Sequence, residues 1–187
     1  MNTKGRIFYF YKMDKSEIEA LKYPIGTFIV PEQINKEQRD LWINELEQLP
    51  GKLSELVQGL DQNQLDQPYR PEGWTIRQLV HHIADSHHNS YIRFKWALTE
   101  ETPLIKVYKQ ENWAQLHDTL TGPIALSLAH LKAVHAKLVY LLRGLSEEEF
   151  KKGFIHPETD TFTSLEENRG RYAWHGNHHL AHIKNIR

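Results

Sequence analysis

The sequence predicts an all-α protein: a four-helix bundle with a long crossover between its second and third helices and an extended N-terminal arm. Three observations predict it. Four apolar stripes recur at helical spacing, each over about 20 residues. The connection over residues 99–122 is far longer than the roughly 2–8 residues that usually join antiparallel neighbours in a bundle. Residues 1–34 carry no sustained helical period and are punctuated by Pro24, Gly26 and Pro31.

Each element has its own signal. The first helix is expected over 36–59, where Trp42, Leu46, Leu49, Leu53, Leu56 and Leu60 alternate steps of four and three. Pro50 lies inside that stripe and is expected to kink or split the helix, because proline has no N–H to donate. The turn-rich run QPYRPEG precedes a second helix over 75–98. Pro123 suits the first position of a third helix over 123–143, and Gly144 suits the residue after its end. Ser164 and Glu167 have capping-box spacing and open a fourth helix that runs toward the C-terminus. The long crossover implies that the second and third helices run roughly parallel, and a loop of that length over one end suits a binding-site lid. The chain reads as one domain, 1–187, with 1–22 as an extension outside the core and Met13 as an alternative start.

Composition narrows the function. Lys plus Arg total 23 against 24 for Asp plus Glu, a net charge of −1, which lacks the clustered basic excess of a nucleic-acid binder. Cysteine is absent, so there is no disulfide framework, no thiolate metal site and no cysteine nucleophile. The apolar run Ile7–Tyr11 is shorter than a signal-peptide core of about 7–15 residues, and no run approaches the roughly 20 of a membrane span. A cytoplasmic protein without a membrane partner is the expectation.

Twelve histidines stand against this ordinary background, and eight fall in two clusters: His81, His82, His87 and His88, then His175, His178, His179 and His182. At about 100° per residue, with His175 at zero, His179 lies at about 40°, His182 at about −20° and His178 at about −60°. His175 and His179 are one turn apart, a spacing at which two imidazoles reach one metal ion. The run between them, Gly176-Asn177-His178, lacks the glutamate of the zinc-peptidase motif. A third ligand has to come from the second helix. Ile76, Val80, Ile83, Tyr91 and Phe94 mark its apolar face; His87 falls on that face, His81 and His88 opposite it, toward solvent, and His82 beside it in a polar stripe with Gln78, Ser86, Asn89 and Arg93. The wheel leaves His82 and His87 both open and inclines to His87 as the more buried.

Trp74-Thr75-Ile76-Arg77-Gln78-Leu79-Val80-His81-His82, followed by Asp85-Ser86-His87, resembles the second-helix motif of DinB-like proteins. The stretch 82–95, together with Tyr23-Pro24-Ile25-Gly26, Tyr69-Arg70, His156-Pro157-Glu158-Thr159 and Tyr172-Ala173-Trp174-His175, resembles the YfiT-type branch of metal-dependent hydrolases over about residues 22–187. The resemblance implies a four-helix bundle that binds one divalent ion through His82, His175 and His179. His87 then becomes a supporting residue, and so do His178 and His182 unless they lie at the surface. His117, His130, His135 and His156 are left as structural.

Three neutral imidazoles leave a divalent ion with its full charge and an open position. The expected activity is hydrolysis by a metal-activated water or hydroxide, with Zn²⁺ the expected ion and Ni²⁺ the alternative. No carboxylate falls at a diagnostic spacing for the general base; Asp85 is nearest, one turn from His82. The alternative is thiol S-transfer, because a coordinated thiol is deprotonated and some YfiT-type proteins are regarded as transferases that use bacillithiol. Asn89 and Arg93 would then hold the carboxylates of the low-molecular-weight thiol. A second alternative is a non-catalytic bundle, its ion closed by a fourth ligand from His178, His182 or His135. A small-molecule substrate and a homodimer complete the expectation.

Overall fold

The computed structural model describes residues 13–186, and the expectations for residues 1–12 lie outside them. Four long helices form the bundle. They are α2 (Lys36–Val57), α4 (Ile76–Thr99), α7 (Ile124–Arg143) and α9 (Leu165–Lys184). Shorter pieces join or flank them: α1 (Lys15–Lys22), α3 (Gln62–Leu65), α5 (Gln110–Trp113), α6 (His117–Thr121) and α8 (Glu147–Lys151), with a hairpin of β1 (Gly153–His156) and β2 (Thr161–Ser164). The hairpin is antiparallel, with Gly153 opposite Ser164 and His156 opposite Thr161.

The caps follow the sequence. Thr75 and Gln78 form a reciprocal capping box at the start of α4. The Ser164 hydroxyl accepts the Glu167 N–H at the start of α9. Pro123 is the N-cap of α7, one position before the one expected of it.

Around the bundle, α2 packs on α7 and α9, and α4 packs on the same two helices. The pairing His81–Ser127 and His87–His135 makes α4 and α7 parallel, as the crossover length implied. The pairing Arg39–Glu166 makes α2 and α9 parallel as well, since Trp42 lies at Gly170 and Leu49 at Gly176. The crossover is sewn onto the first turns of α4. Gln78 Nε2 donates to the Ala114 carbonyl at 2.8 Å and Arg77 Nη1 to the Gly122 carbonyl at 3.1 Å.

One expectation needs correction, one is narrowed, and one feature was not foreseen. The N-terminal region is not wholly an extended arm: α1 occupies 15–22, closed at its start by a capping box between Asp14 and Glu17. Its short amphipathic period was hidden among charged residues. Pro50 does not split its helix, which is continuous over α2; the proline is buried against the bundle, where packing holds the backbone in register. The short strands of the hairpin carried no period that sequence reading could find.

Two apolar clusters fill the bundle. One contains Trp42, Ile43, Leu46, Phe94, Leu138, Leu142, Phe154 and Leu165. The other contains Leu49, Leu53, Leu79, Ile83, Leu131, Leu180 and Ile183. A polar layer with His87, His135 and His175 lies between them. Against the expectation that no segment approaches a membrane span, one helix among the described residues, α7, is long and apolar enough to cross a membrane by length and composition; its Leu131, Val134, Leu138 and Leu142 are buried inside the bundle.

Glycine sets the approach of α9 to α2. A Cβ on Gly170 would stand 2.7 Å from the Trp42 ring, a rigid group with packed neighbours. Helix propensity alone favours alanine at Gly170 by about 1 kcal/mol, whereas overpacking costs about 1–3 kcal/mol. The expected outcome for Gly170→Ala is therefore a lower urea midpoint. A higher midpoint would mean that the two helices are not in close contact there.

Candidate metal centre

The ring nitrogens of His82, on α4, and of His175 and His179, on α9, come together within 4.8 Å of one another. His175 Nε2 lies 3.3 Å from His82 Nε2 and 3.1 Å from His179 Nε2. His82 and His179 are buried, and His175 faces a cavity. Burial lowers all three pKa values, that of His82 to about 4. All three rings are therefore neutral near pH 7, with one N–H and one lone pair each.

Two chains of hydrogen bonds assign where those protons sit. Within α2, Pro50 has no N–H for the Leu46 carbonyl. That carbonyl accepts a hydrogen bond from His135 Nδ1 instead. His135 Nε2 is then an acceptor, and His87 Nδ1–H donates to it at 2.9 Å. His87 Nε2 accepts in turn from His175 Nδ1–H at 3.2 Å. The lone pair of His175 is left on Nε2. The second chain begins at the Lys22 carbonyl, freed by the end of α1, which accepts from His182 Nε2–H at 3.2 Å. His182 Nδ1 accepts from His179 Nδ1–H at 3.3 Å, which leaves the lone pair of His179 on Nε2 as well.

Two acceptors thus stand 3.1 Å apart, an approach that a cation between them relieves. Two imidazole nitrogens, each about 2.0–2.1 Å from a tetrahedral Zn²⁺, are about 3.3 Å apart, so the residues present fit such an ion. The trio His178, His179 and His182 is also close enough to share an ion. It fits less well, because His179 Nδ1 carries the proton given to His182.

Two cavities reach the three rings. A large one of about 810 Å³ is lined by Arg93, Asn168, Tyr172 and His175, among others. A smaller one of about 300 Å³ is lined by Trp74, His82, His178 and His179. Glu111, on α5 of the crossover, lines both, and its Oε2 accepts from Trp74 Nε1 at 3.2 Å. The Trp74 ring is centred 4.6 Å from that of His82. Sequence reading missed Glu111 because it lies in a connection with no period to place it.

The remaining candidates divide. Arg93 is buried and lines the large cavity. Asp85 and Asn89 line neither cavity; Asn89 Nδ2 donates to the Asp85 carbonyl. The Asp85 carboxyl is pushed up to about 6 by burial and by Asp118. His87 is fully buried, as its wheel position implied, but meets His175 through Nε2. His81 is not solvent-facing: the crossover covers it, and it bonds Ser127 Oγ at 2.7 Å and the Gly122 carbonyl at 3.2 Å. His88 is partly buried and stacks on His130. His178 and His182 are buried, not at the surface, with His178 stacked on Trp174 and His182 against Tyr69.

The fold and the site define a class: a four-helix bundle with histidines of two helices gathered at one point inside it. The chain belongs to the DinB superfamily, whose sequence profile matches residues 37–183. It is 50% identical over 166 residues to the "Putative metal-dependent hydrolase YfiT" of Bacillus subtilis, covering 89% of this chain and 93% of that one. It is 52% identical over 167 residues to a protein of the same description from Bacillus cereus, with 89% and 95% covered. The solved structure of YfiT from Bacillus subtilis, described as having an unusual four-helix bundle topology, superposes with a TM-score of 0.87 at 50% identity, covering 89% of this chain and 95% of that one. A second solved four-helix bundle protein matches at 18% identity with a TM-score of 0.54, over 79% of this chain and 98% of that one, a likeness of fold alone.

The buried imidazoles make stability depend on pH. His82 and His135 titrate at about 4 in the fold against 6.5 in a model peptide, and His87, His175 and His179 are shifted in the same direction. Below pH 6.5 the unfolded chain binds more protons than the folded one, so stability falls as pH falls from about 6.5 toward about 4. Chelator-treated protein is expected to melt at a clearly lower temperature at pH 5 than at pH 7. Equal melting temperatures would contradict neutral, buried rings.

Proposed function

We propose that this protein is a metal-dependent hydrolase that holds one divalent ion, Zn²⁺ before Ni²⁺, on His82, His175 and His179. The observation that carries the reading is the pair of carbonyl-terminated chains that turn the lone pairs of His175 and His179 onto one point. An ion bound there supplies Lewis acidity and lowers the pKa of a coordinated water toward about 7. His87 and His182 hold the two α9 rings in orientation. Trp74 donates to the Glu111 carboxylate, which lines both cavities and is the group that would take the proton of an attacking water. Tyr172 and Trp174 give the large cavity aromatic walls.

Thiol S-transfer, with a cosubstrate such as bacillithiol, is the second reading. The observation that favours it is the second cavity, which adjoins the first at Gln110, Glu111, Trp174 and His175 and gives a second reactant its own space beside the histidines. For a closed, non-catalytic site, His135 is engaged behind His87 and His182 by the Lys22 carbonyl, which leaves His178, whose Nδ1 has no partner among the described residues, as the fourth ligand such a site would need. The setting we infer is cytoplasmic, with a small-molecule substrate and neither nucleic acid nor membrane as partner. A homodimer is supported by exposed Leu126 and Tyr140 on α7.

Elemental analysis of wild type beside His82→Ala and His179→Ala tests the ion. The expected result is about one divalent ion per wild-type chain and loss in both variants; a wild type that stays metal-free after incubation with Zn²⁺ or Ni²⁺ contradicts the reading. Esterase and thiol-conjugation assays then separate the two chemistries. For hydrolysis, Glu111→Gln is expected to lower kcat about 10²–10⁴-fold while the ion is retained. An unchanged kcat would remove Glu111 as the base.

A further inference from the structure

We propose that the large cavity is an anion-binding substrate site in which Arg93 receives a carboxylate or phosphate group of the ligand. The proposal rests on the hydrolase reading only for which end of the ligand reacts; the anion contact itself needs no ion.

Arg93 is 8% exposed. Among the described residues its one hydrogen bond runs from Nη1 to the Tyr172 hydroxyl at 3.3 Å. Among the described residues no carboxylate pairs with it. Arg77 shows what a structural arginine of equal burial looks like here. At 5% exposure it bonds Asp66 Oδ1 at 2.9 Å and, in addition, Gln62 and the Gly122 carbonyl. Arg169 is buried without hydrogen bonds, but it lies over the Phe150 ring at 4.3 Å, has Glu166 at 3.6 Å and lines neither cavity. Arg93 alone of the three puts an unpaired buried charge on a cavity wall. A buried cation without a counter-charge is destabilising, and a bound anion supplies the missing partner.

The same wall repeats the pattern. Trp174 Nε1 and His156 Nδ1 are buried, have no hydrogen-bond partner, and belong to residues that line the cavity. An indole N–H can only donate. Among the described residues three carboxylates line the cavity and none pairs with Arg93: Glu167 is taken by Arg171 at 2.6 Å, Glu111 accepts from Trp74 Nε1 at 3.2 Å, and both Glu111 and Glu158 are exposed to solvent. The Trp174 N–H is thus a donor without an acceptor in a residue of that wall, which suits an oxygen-rich anion better than a cation. His175 lines the cavity too, so a ligand anchored on Arg93 extends toward the three histidines.

The test is calorimetric titration of the full-length chain with its ion, using succinate, inorganic phosphate and neutral succinamide as probes. The proteins are wild type, Arg93→Gln, Arg93→Lys and His82→Ala. We expect succinate or phosphate to bind wild type, and succinamide not to bind. Arg93→Gln should weaken the anion at least tenfold, about 1.4 kcal/mol, Arg93→Lys less, and His82→Ala should retain binding. The tighter probe tells a carboxylate site from a phosphate site. Binding to Arg93→Gln equal to wild type overturns the proposal. So does loss in His82→Ala alone, which puts the anion on the ion, and so does a wild type that binds neither anion. Should Arg93→Gln fail to fold, the thermal shift that succinate produces in wild type, set against that in Arg93→Lys, reads the same contrast, and equal shifts overturn it. Loss of the ion in His82→Ala with anion binding intact separates this site from the metal reading.

Discussion

The arrangement depends on one carbonyl that a helix cannot satisfy. Pro50 removes the N–H that would bond Leu46 within α2, and the freed oxygen becomes the fixed end of a chain through His135 and His87 to His175. A carbonyl can only accept, and each neutral imidazole has one proton, so a single end decides the tautomer of every ring behind it. The second chain works in the same way from the Lys22 carbonyl, left open by the end of α1. A proline and a helix terminus, usually sources of disruption, here orient two imidazoles.

The fold bears the consequence. A layer of buried imidazoles separates two apolar clusters that would otherwise be continuous. Burying an unsatisfied polar group costs about 1–3 kcal/mol, and the chains keep most of these nitrogens bonded. The parallel neighbours α4 and α7 bring His87 to His135, the glycines of α9 let α2 close on α9, and the packing of α2 on α7 puts the Leu46 carbonyl within reach of His135. Helix packing, backbone defect and site chemistry are therefore one constraint seen at three scales.

Much of this was legible in the sequence. The four stripes, the Ser164 cap and the 24-residue gap were enough for the helices and the parallel pair, because helical period and connection length are local properties. The histidine face of α9 followed from spacing alone. The choice between His82 and His87 did not. A helical wheel records burial, and His87 is the more buried; what separates them is which nitrogen meets which neighbour, a property of three helices together. His81 was misread for a related reason, since only the folded crossover covers it. Glu111 and the hairpin were invisible because their positions are set by tertiary contacts with no periodic signal.

The most direct test of the central claim is the protonation of the rings themselves. Nitrogen-15 correlation spectra of the imidazoles, recorded on metal-free protein near pH 7, distinguish Nδ1–H from Nε2–H. The account predicts that His175 and His179 are both Nδ1–H, with Nε2 unprotonated. An Nε2–H tautomer at either residue would contradict it, because the lone pair would then point back along the chain and away from the common point.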